Sequence, residues 1–476
     1  MSKQNLFLLI LLTVLLVTRL PFLGSGLSVI EPDEEDYRQI AQSAANGWPL
    51  FWEGKPFFYK FPLFIYLGYF IGKLFPFIFA LGPYLNLRLI AVISFIGLTY
   101  LFYKYIGKKL DRTTALWSTL FLILTPITLF YSRQGTFETF YLFFGFWFFK
   151  KFSEEKDRLD NNKVLILGGL LGLAILTKHI NILLISFPMF YLIKGLIILK
   201  RKRFKKILPF TVIIVLALSL VGFTLLPVYI YSKPLITEQF IGSPRQFFIG
   251  HSRAFLGTFW EYMKISPYWL SWPIFLGSIA GVWLSLKKWR NNIDYLLVLG
   301  IGLIYINSYA ITPRSYVFIV PYLIIGLAFL IQLLKDKSWG KLFLTLLIII
   351  TAIQSKTAFD STRHSGVEQL LNNLKDEYVH EELPVYATFE EDKLSVMAGL
   401  PINIVTWEAT KSGYILTDQR KTELMLSLSE PEWIEARRIY EWLKANQTPI
   451  WVFNDPWPHF PGTDKGNKFR IYKLTD

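Results

Sequence analysis

Long apolar stretches separated by short polar ones run along residues 1–355, and the rhythm changes after Lys356. A membrane-spanning helix needs roughly 20 mostly apolar residues. By that measure the chain predicts about eleven spans, near 5–23, 87–104, 113–131, 137–150, 164–177, 181–199, 207–231, 267–286, 294–310, 315–334 and 341–355. The stretch 5–23 is long for the core of a secretory signal and further spans follow it, so it reads as a retained first helix. Two long connections stand out, about 24–86 and about 232–266. The first contains "FPLFIYLGYFIGKLF", whose aromatics suit a helix lying in the membrane interface or a short re-entrant segment.

Beyond Lys356 the pattern is that of a soluble domain. Helix-like "GVEQLLNNLKDEY" and "PEWIEARRIYEWLKANQ" are interleaved with strand-like "PVYATF", "INIVTW", "GYILTD", "PIWVFN" and "FRIYKL". That alternation predicts a small α/β domain over 356–476, beside a helical membrane domain over 1–355. No dinucleotide fingerprint or P-loop occurs in it.

Composition sharpens the membrane reading. The chain is 53% hydrophobic and 18% charged, against about 25% charged for ordinary soluble domains. It has no cysteine, which excludes a disulfide framework, a thiolate nucleophile and a cysteine-ligated metal. The net charge of +15 would suit a nucleic-acid partner, but its location argues against one. The bases sit in alternate short connections: Lys104/Lys108/Lys109/Arg112, Lys150/Lys151/Lys156/Arg158/Lys163, the run "KRKRFKK", Lys287/Lys288/Arg290, and Lys335/Lys337/Lys341. The positive-inside rule makes these loops cytoplasmic. The expected topology is a multi-pass cell-membrane protein with a cytoplasmic amino terminus and the α/β domain outside.

The candidate chemistry lies on the outer side. "EPDEEDYRQIAQSAANG" puts five acids into six residues; on a helix starting at Asp33 and stopped by Gly47, Asp33 and Tyr37 share a face. Acids in a first helical turn are favoured by the macrodipole, and Glu34 with Arg38 is a routine helix pair, so a wet loop and a helix start account for several of them. Lys60, before an aromatic-proline step, either snorkels to headgroups or holds a phosphate. Glu138 lies at the outer start of an apolar helix, where an ionisable residue is a functional candidate; a local pair with Arg133 is the structural alternative. Lys178 and His179 end a Gly-rich span. Arg245, His251 and Arg253 share the second long loop with many aromatics, and Arg314 and Tyr316 open the tenth span.

Taken together, these residues resemble the polyprenyl-phosphate-sugar-dependent transferases of the GT-C fold. Closest are the protein mannosyltransferase superfamily (glycosyltransferase family 39) and the bacterial lipid A aminoarabinose transferases (family 83). The resemblance is carried by Asp-Glu-x-x-Tyr at Asp33, aromatic-x-Lys-x-Pro at Lys60, Arg-x-Gly-x-x-Glu from Arg133 to Glu138, and Gly-Leu-Ala-x-Leu-Thr-Lys ending at Lys178. It spans about residues 1–335, while the outer tail matches no family. It implies that Asp33 is the base acting on an acceptor hydroxyl, with Glu34 and Tyr37 as companions. It further implies that Glu138 is the second acid, that Lys60 and Lys178 meet the lipid phosphate, and that Tyr316 lies near the donor cavity. Tyr59 stands where some relatives carry an acid, "KFP" replaces Lys-Pro-Pro, and His179 stands where many have glycine. Asp33, Glu138 and His251 could still bind one divalent ion.

The expected activity is inverting transfer of a hexose or pentose from a polyprenyl-phosphate donor to a protein, lipid or glycan hydroxyl at the outer leaflet. Arg133, Arg245, Arg253 and Arg314 would help to bind the substrate. The alternatives are a transporter or flippase of lipid-linked sugars, and a membrane protein whose tail binds a partner. Transporters place ionisable residues near the midplane and carry internal repeats; no repeat is evident here.

Overall fold

The computed structural model describes residues 3–21, 23, 33–46, 50–52, 55–57, 62–77, 84–198, 204–231, 255–287, 291–308, 313–363, 371, 373–376, 381, 383–388, 400–407, 411–418, 431–455 and 467–474. Two compact units emerge: Met1–Pro21 with Asp36–Ser355, and Phe22–Glu35 with Lys356–Asp476. The stretch Phe22–Glu35, expected with the membrane domain, groups with the second unit instead.

The first unit is helical. Its elements are α1 (Lys3–Arg19), α2 (Asp33–Ser43, which begins in the other unit), a short hairpin of β1 (Leu50–Trp52) and β2 (Lys55–Phe57), α3 (Pro62–Leu74), α4 (Leu85–Lys109), α5 (Arg112–Leu124), α6 (Pro126–Tyr131), α7 (Glu138–Glu155), α8 (Asn161–Thr177), α9 (Ser186–Ile198), α10 (Phe204–Tyr231), α11 (Phe255–Leu270), α12 (Trp272–Leu286), α13 (Ile293–Ser308), α14 (Pro313–Val317), α15 (Val320–Leu334) and α16 (Ser338–Arg363). Among the described residues four helices are long and apolar enough to cross a membrane: Leu85–Lys109, Ile180–Ile197, Ile207–Thr224 and Ser338–Lys356. The bent pair Tyr262–Leu270 and Trp272–Leu286, at 114°, would make a fifth. Several other expected spans are shorter or broken helices. The stretch 113–131, for example, divides at Thr125 before Pro126, because proline lacks the N–H that would continue the ladder.

The apolar surface is turned outward as well as inward. Leu218 and Phe223 on α10, Leu276 and Trp283 on α12, and Ile349 and Ile353 on α16 are all exposed. Apolar belts of this extent belong against lipid. Inside, helices approach closely where side chains are small. Gly168 and Gly172 of α8 lie against Leu216 and Leu220 of α10, and Gly281 of α12 lies against the backbone of Gly326 in α15. The bend between α11 and α12 falls on Ser271, a non-glycine residue at φ 80°. Its hydroxyl is 3.1 Å from that of Thr351, and the Trp272 N–H donates to Gln354 at 3.0 Å. Two α16 side chains thus hold a backbone conformation that costs of order 1–3 kcal/mol. The sequence places a span start near 267; the helix instead begins at Phe255 and breaks at Ser271.

The second unit contains a five-stranded sheet in the order β4-β3-β5-β7-β6, from β3 (Val385–Ala387), β4 (Ile402–Ile404), β5 (Gly413–Asp418), β6 (Trp451–Asp455) and β7 (Asn467–Leu474). β3 is parallel to β4 and β5, and β7 is antiparallel to β5 and β6. Strand alternation sends Tyr414 and Leu416 into one core with Leu371, Leu374 and Ile471. It sends Ile415 to the opposite face with Tyr472 and with Ala436, Ile439 and Leu443 of α17 (Pro431–Asn446). These five strands and α17 are among the elements that the sequence pattern predicts for the tail, and 371 and 373–376, within the other predicted helix, are helical too.

A methyl group on Gly281 would come within 1.8 Å of the Gly326 carbonyl oxygen, whereas one on Gly169 meets nothing within 4 Å. Gly281→Ala should therefore destabilise the purified protein by about 1–3 kcal/mol. Gly169→Ala should be neutral or slightly stabilising. Thermal melts in one detergent compare the two directly.

Candidate active site

The junction of α6 and α7 is a buried irregular segment. Ser132, Arg133, Gln134, Thr136 and Phe137 are all almost inaccessible, so their polar groups need partners within the protein. Arg133 finds its own at the end of α1, where helix geometry leaves carbonyls unpaired. One of its nitrogens donates to the Thr18 and Arg19 carbonyls (3.2 and 3.0 Å), and another to that of Pro21 (2.9 Å). Arg19, fully buried, returns the connection: it donates to Ser132 Oγ at 2.7 Å and to the Ile123 carbonyl at 2.5 Å, and lies over the Phe95 ring at 4.6 Å.

The next helix starts with Glu138, 2% exposed, in the first turn of α7, where the positive end of the helix dipole favours a carboxylate. Lys178 reaches it from the end of α8. There the backbone turns extended (φ −162°, ψ 135°) and passes into a 3-10 helix, His179–Ile185. A run of that length is uncommon and often marks a functional break. Lys178 Nζ lies 2.9 Å from Glu138 Oε1 and 4.6 Å above the Tyr141 ring. The acid thus pairs with Lys178, and Arg133, its neighbour in sequence, is engaged at α1.

A supporting layer fixes the pair. The Tyr141 hydroxyl donates to the Arg314 carbonyl at 3.1 Å. Asn181 Nδ2 donates to the carbonyls of Ala174 (2.8 Å) and Tyr141 (3.1 Å), tying α8 to α7. Gly145 makes room for it, since a Cβ there would lie 2.7 Å from Asn181 Oδ1. Tyr141 and Asn181 escape a search for unusual charges, although a lone Asn within "TKHINILL" is a visible signal.

Acceptor groups are left over. Glu138 Oε2, Asn181 Oδ1, Gln134 Oε1 and Thr136 Oγ1 are buried and lack a hydrogen-bond partner. Such groups cost of order 1–3 kcal/mol each unless something satisfies them. A carboxylate with one oxygen neutralised and the other open can accept a hydrogen bond from a ligand hydroxyl.

Tyr37 of α2 is buried and meets Phe137, the residue before Glu138, edge-on at 4.6 Å; Phe64 of α3 completes the cluster. Asp33 opens α2 one turn before Tyr37. Glu34 is fully buried, which sets it apart from a wet-loop acid. Tyr316 stacks on Tyr262 of α11 at 5.7 Å and packs on Trp269 at 5.2 Å. His179 begins the 3-10 helix. Lys60, Arg245, His251 and Arg253 lie outside the described residues. Among the described residues no group of three or more His, Cys, Asp or Glu could hold a metal ion. Glu138 faces a lysine rather than a second ligand, which does not fit a divalent ion there.

The sequence model of the dolichyl-phosphate-mannose-protein mannosyltransferases matches residues 65–226, about a third of the chain. ArnT from Cupriavidus metallidurans, solved with bound undecaprenyl phosphate, superposes with a TM-score of 0.61 at 14% identity, covering 98% of this chain and 97% of that one. The chain has the GT-C fold. The same fold is found in the oligosaccharyltransferase of Archaeoglobus fulgidus, solved with zinc and sulfate, at a TM-score of 0.59 and 13% identity over 91% of this chain and 70% of that one. That enzyme with an inhibitory peptide and a dolichol-phosphate gives 0.56 at 11% identity over 88% and 69%. No curated protein matches in sequence. The GT-C fold and the apolar helices make this a multi-pass membrane protein.

If the ion pair holds α7 to α8, Lys178→Met should leave an unpaired buried carboxylate and cost about 3–5 kcal/mol. The double variant Glu138→Gln/Lys178→Met should lose less than the sum of the single losses. A double-mutant cycle of denaturant melts reads the coupling.

Proposed function

We propose that the protein is a membrane glycosyltransferase that moves a monosaccharide from a polyprenyl-phosphate donor to an acceptor hydroxyl at the outer leaflet. The observation that carries this reading is Glu138: a buried carboxylate at a helix start, held by Lys178 through one oxygen and open at the other, within a GT-C fold. Support comes from ArnT, which was solved with undecaprenyl phosphate, and from the archaeal oligosaccharyltransferase, which was solved with a dolichol-phosphate and a peptide.

The chemistry follows from the residue types. The acceptor oxygen attacks the anomeric carbon and its proton passes to Asp33 as general base. The bond from that carbon to the phosphate oxygen breaks, and the lipid phosphate leaves carrying the negative charge. Lys60 and Lys178 neutralise that charge as it develops, with Arg245, Arg253 and Arg314 as further cations of the donor site. Direct displacement inverts the anomeric centre. Glu138 accepts a hydroxyl of the bound sugar or acceptor through Oε2 and keeps Lys178 oriented, while Tyr37, Glu34 and Tyr316 shape the surroundings. The acceptor is a protein, lipid or glycan. The basic loops put the amino terminus in the cytoplasm and the α/β domain outside.

Transfer is measured with the purified protein in liposomes containing a radiolabelled polyprenyl-phosphate monosaccharide. Asp33→Asn should lower the rate by about 10²–10⁴-fold, the usual worth of a general base, and Glu138→Gln should also lower it. Full activity in Asp33→Asn would remove that residue as the base. Lipid scrambling that continues in both variants, with no transfer in wild type, would favour the transporter reading.

A further inference from the structure

A cavity of about 460 Å³ lies between α2, α3 and α4, within the range of small-molecule sites. Arg38 and Gln42 line it from α2, Tyr69, Gly72 and Lys73 from α3, and Asn86 from the first turn of α4. Among the described residues, none that lines it is a carboxylate. Phe64, near the start of α3, packs on Tyr37 and Phe137 beside Glu138. Gly72 is eight residues further on, so a helix rise of 1.5 Å per residue puts the cavity about 12 Å along α3 from that cluster.

Two groups in the wall lack partners of their own. Asn86 is 2% exposed, and its Nδ2 donates to the Gly68 carbonyl at 2.9 Å. That bond fixes the amide and leaves Oδ1 buried with no hydrogen bond, a cost of order 1–3 kcal/mol unless a ligand meets it. Lys73 is exposed; its ammonium lies 5.8 Å from the Tyr69 ring and has no carboxylate within ion-pair distance among the described residues. Arg38 has contacts of its own. Beside the cavity, Leu67, Phe70 and Leu74 are all exposed, and at i, i+3 and i+7 they share one face of α3. Snorkelling accounts for a lysine next to such a face. It does not account for a concavity behind that lysine or for an orphaned amide oxygen in its wall.

We propose that this cavity holds the headgroup of a lipid that carries a hydroxyl beside its phosphate. Lys73 meets the phosphate as a point charge. The hydroxyl donates to Asn86 Oδ1 and accepts from the Gln42 amide, while the Tyr69 ring covers the carbon stem between hydroxyl and phosphate. The apolar chains lie along Leu67, Phe70 and Leu74, which is why the occupant is a lipid rather than a soluble phosphate. Seated there, it braces α2 and α3, the helices whose Tyr37 and Phe64 pack beside Glu138.

The test places the full chain in phosphatidylcholine nanodiscs with phosphatidylglycerol, or with phosphatidylethanol, which has the same charge but no headgroup hydroxyl. Native mass spectrometry counts the retained lipid in wild type, Lys73→Gln and Asn86→Leu. Wild type should retain phosphatidylglycerol about fivefold better than phosphatidylethanol, the worth of one neutral hydrogen bond. Lys73→Gln should weaken both lipids about tenfold, as for a charge-assisted bond, and Asn86→Leu should erase the difference between them. Equal retention of the two lipids by wild type, or Lys73→Gln that holds both as wild type does, overturns the proposal. Lys73 is exposed, so its variant decides the matter even where Asn86→Leu fails to fold. Retention is read without sugar transfer, so failure of the proposed reaction leaves this result standing.

Discussion

Backbone carbonyls at the end of a helix have no partner in that helix, and an apolar slab offers no water to replace it. In this protein Arg133 meets that need for α1, taking the carbonyls of Thr18, Arg19 and Pro21, while Arg19 reaches back to Ser132 and Ile123. Much else follows from this exchange. It lets the chain leave helical geometry between α6 and α7 inside the protein, where exposed irregular backbone could not survive. It also fixes the point from which α7 departs, and with it the position of Glu138.

The same economy governs the polar centre. Lys178 and Glu138 neutralise one another, Tyr141 offers its ring to the lysine and its hydroxyl to the Arg314 carbonyl, and Asn181 ties the two helices together. Lys178, Tyr141 and Asn181 each serve two neighbours. The open acceptors, Glu138 Oε2 first among them, are where a hydroxylated ligand gains most. A buried pair of this kind is weak evidence for stability alone; its orphaned oxygen makes it a candidate site.

Both ends of α7 are polar. Its start carries the carboxylate paired with Lys178, and its end joins α4 and α13 around a cavity lined by three lysines and three carboxylates. Between them Phe146, Phe149 and Phe152 are packed with Tyr105, Phe187 and Tyr322, an aromatic column without charge. That column separates the two polar ends, and a charge within it would bear the full cost of desolvation.

Much of this was legible in the residues. Apolar runs marked the helices, alternation marked the strands of the tail, and the order of acids, lysines and glycines marked the GT-C resemblance, because these depend on local period and composition. Other features were not. The sequence offers Glu138 a near neighbour in Arg133 and a distant one in Lys178, and only the fold chooses the latter by committing Arg133 to α1. The break at Ser271 depends on hydroxyl and amide groups 80 or more residues away, Thr351 and Gln354. Nothing local distinguishes Glu34, fully buried, from its acidic neighbours. Hydrophobic period decides by itself which segments become helices and which faces are apolar. Which charge meets which is a matter of three-dimensional approach, since ion pairs and hydrogen bonds act over a few ångströms and take no account of distance along the chain.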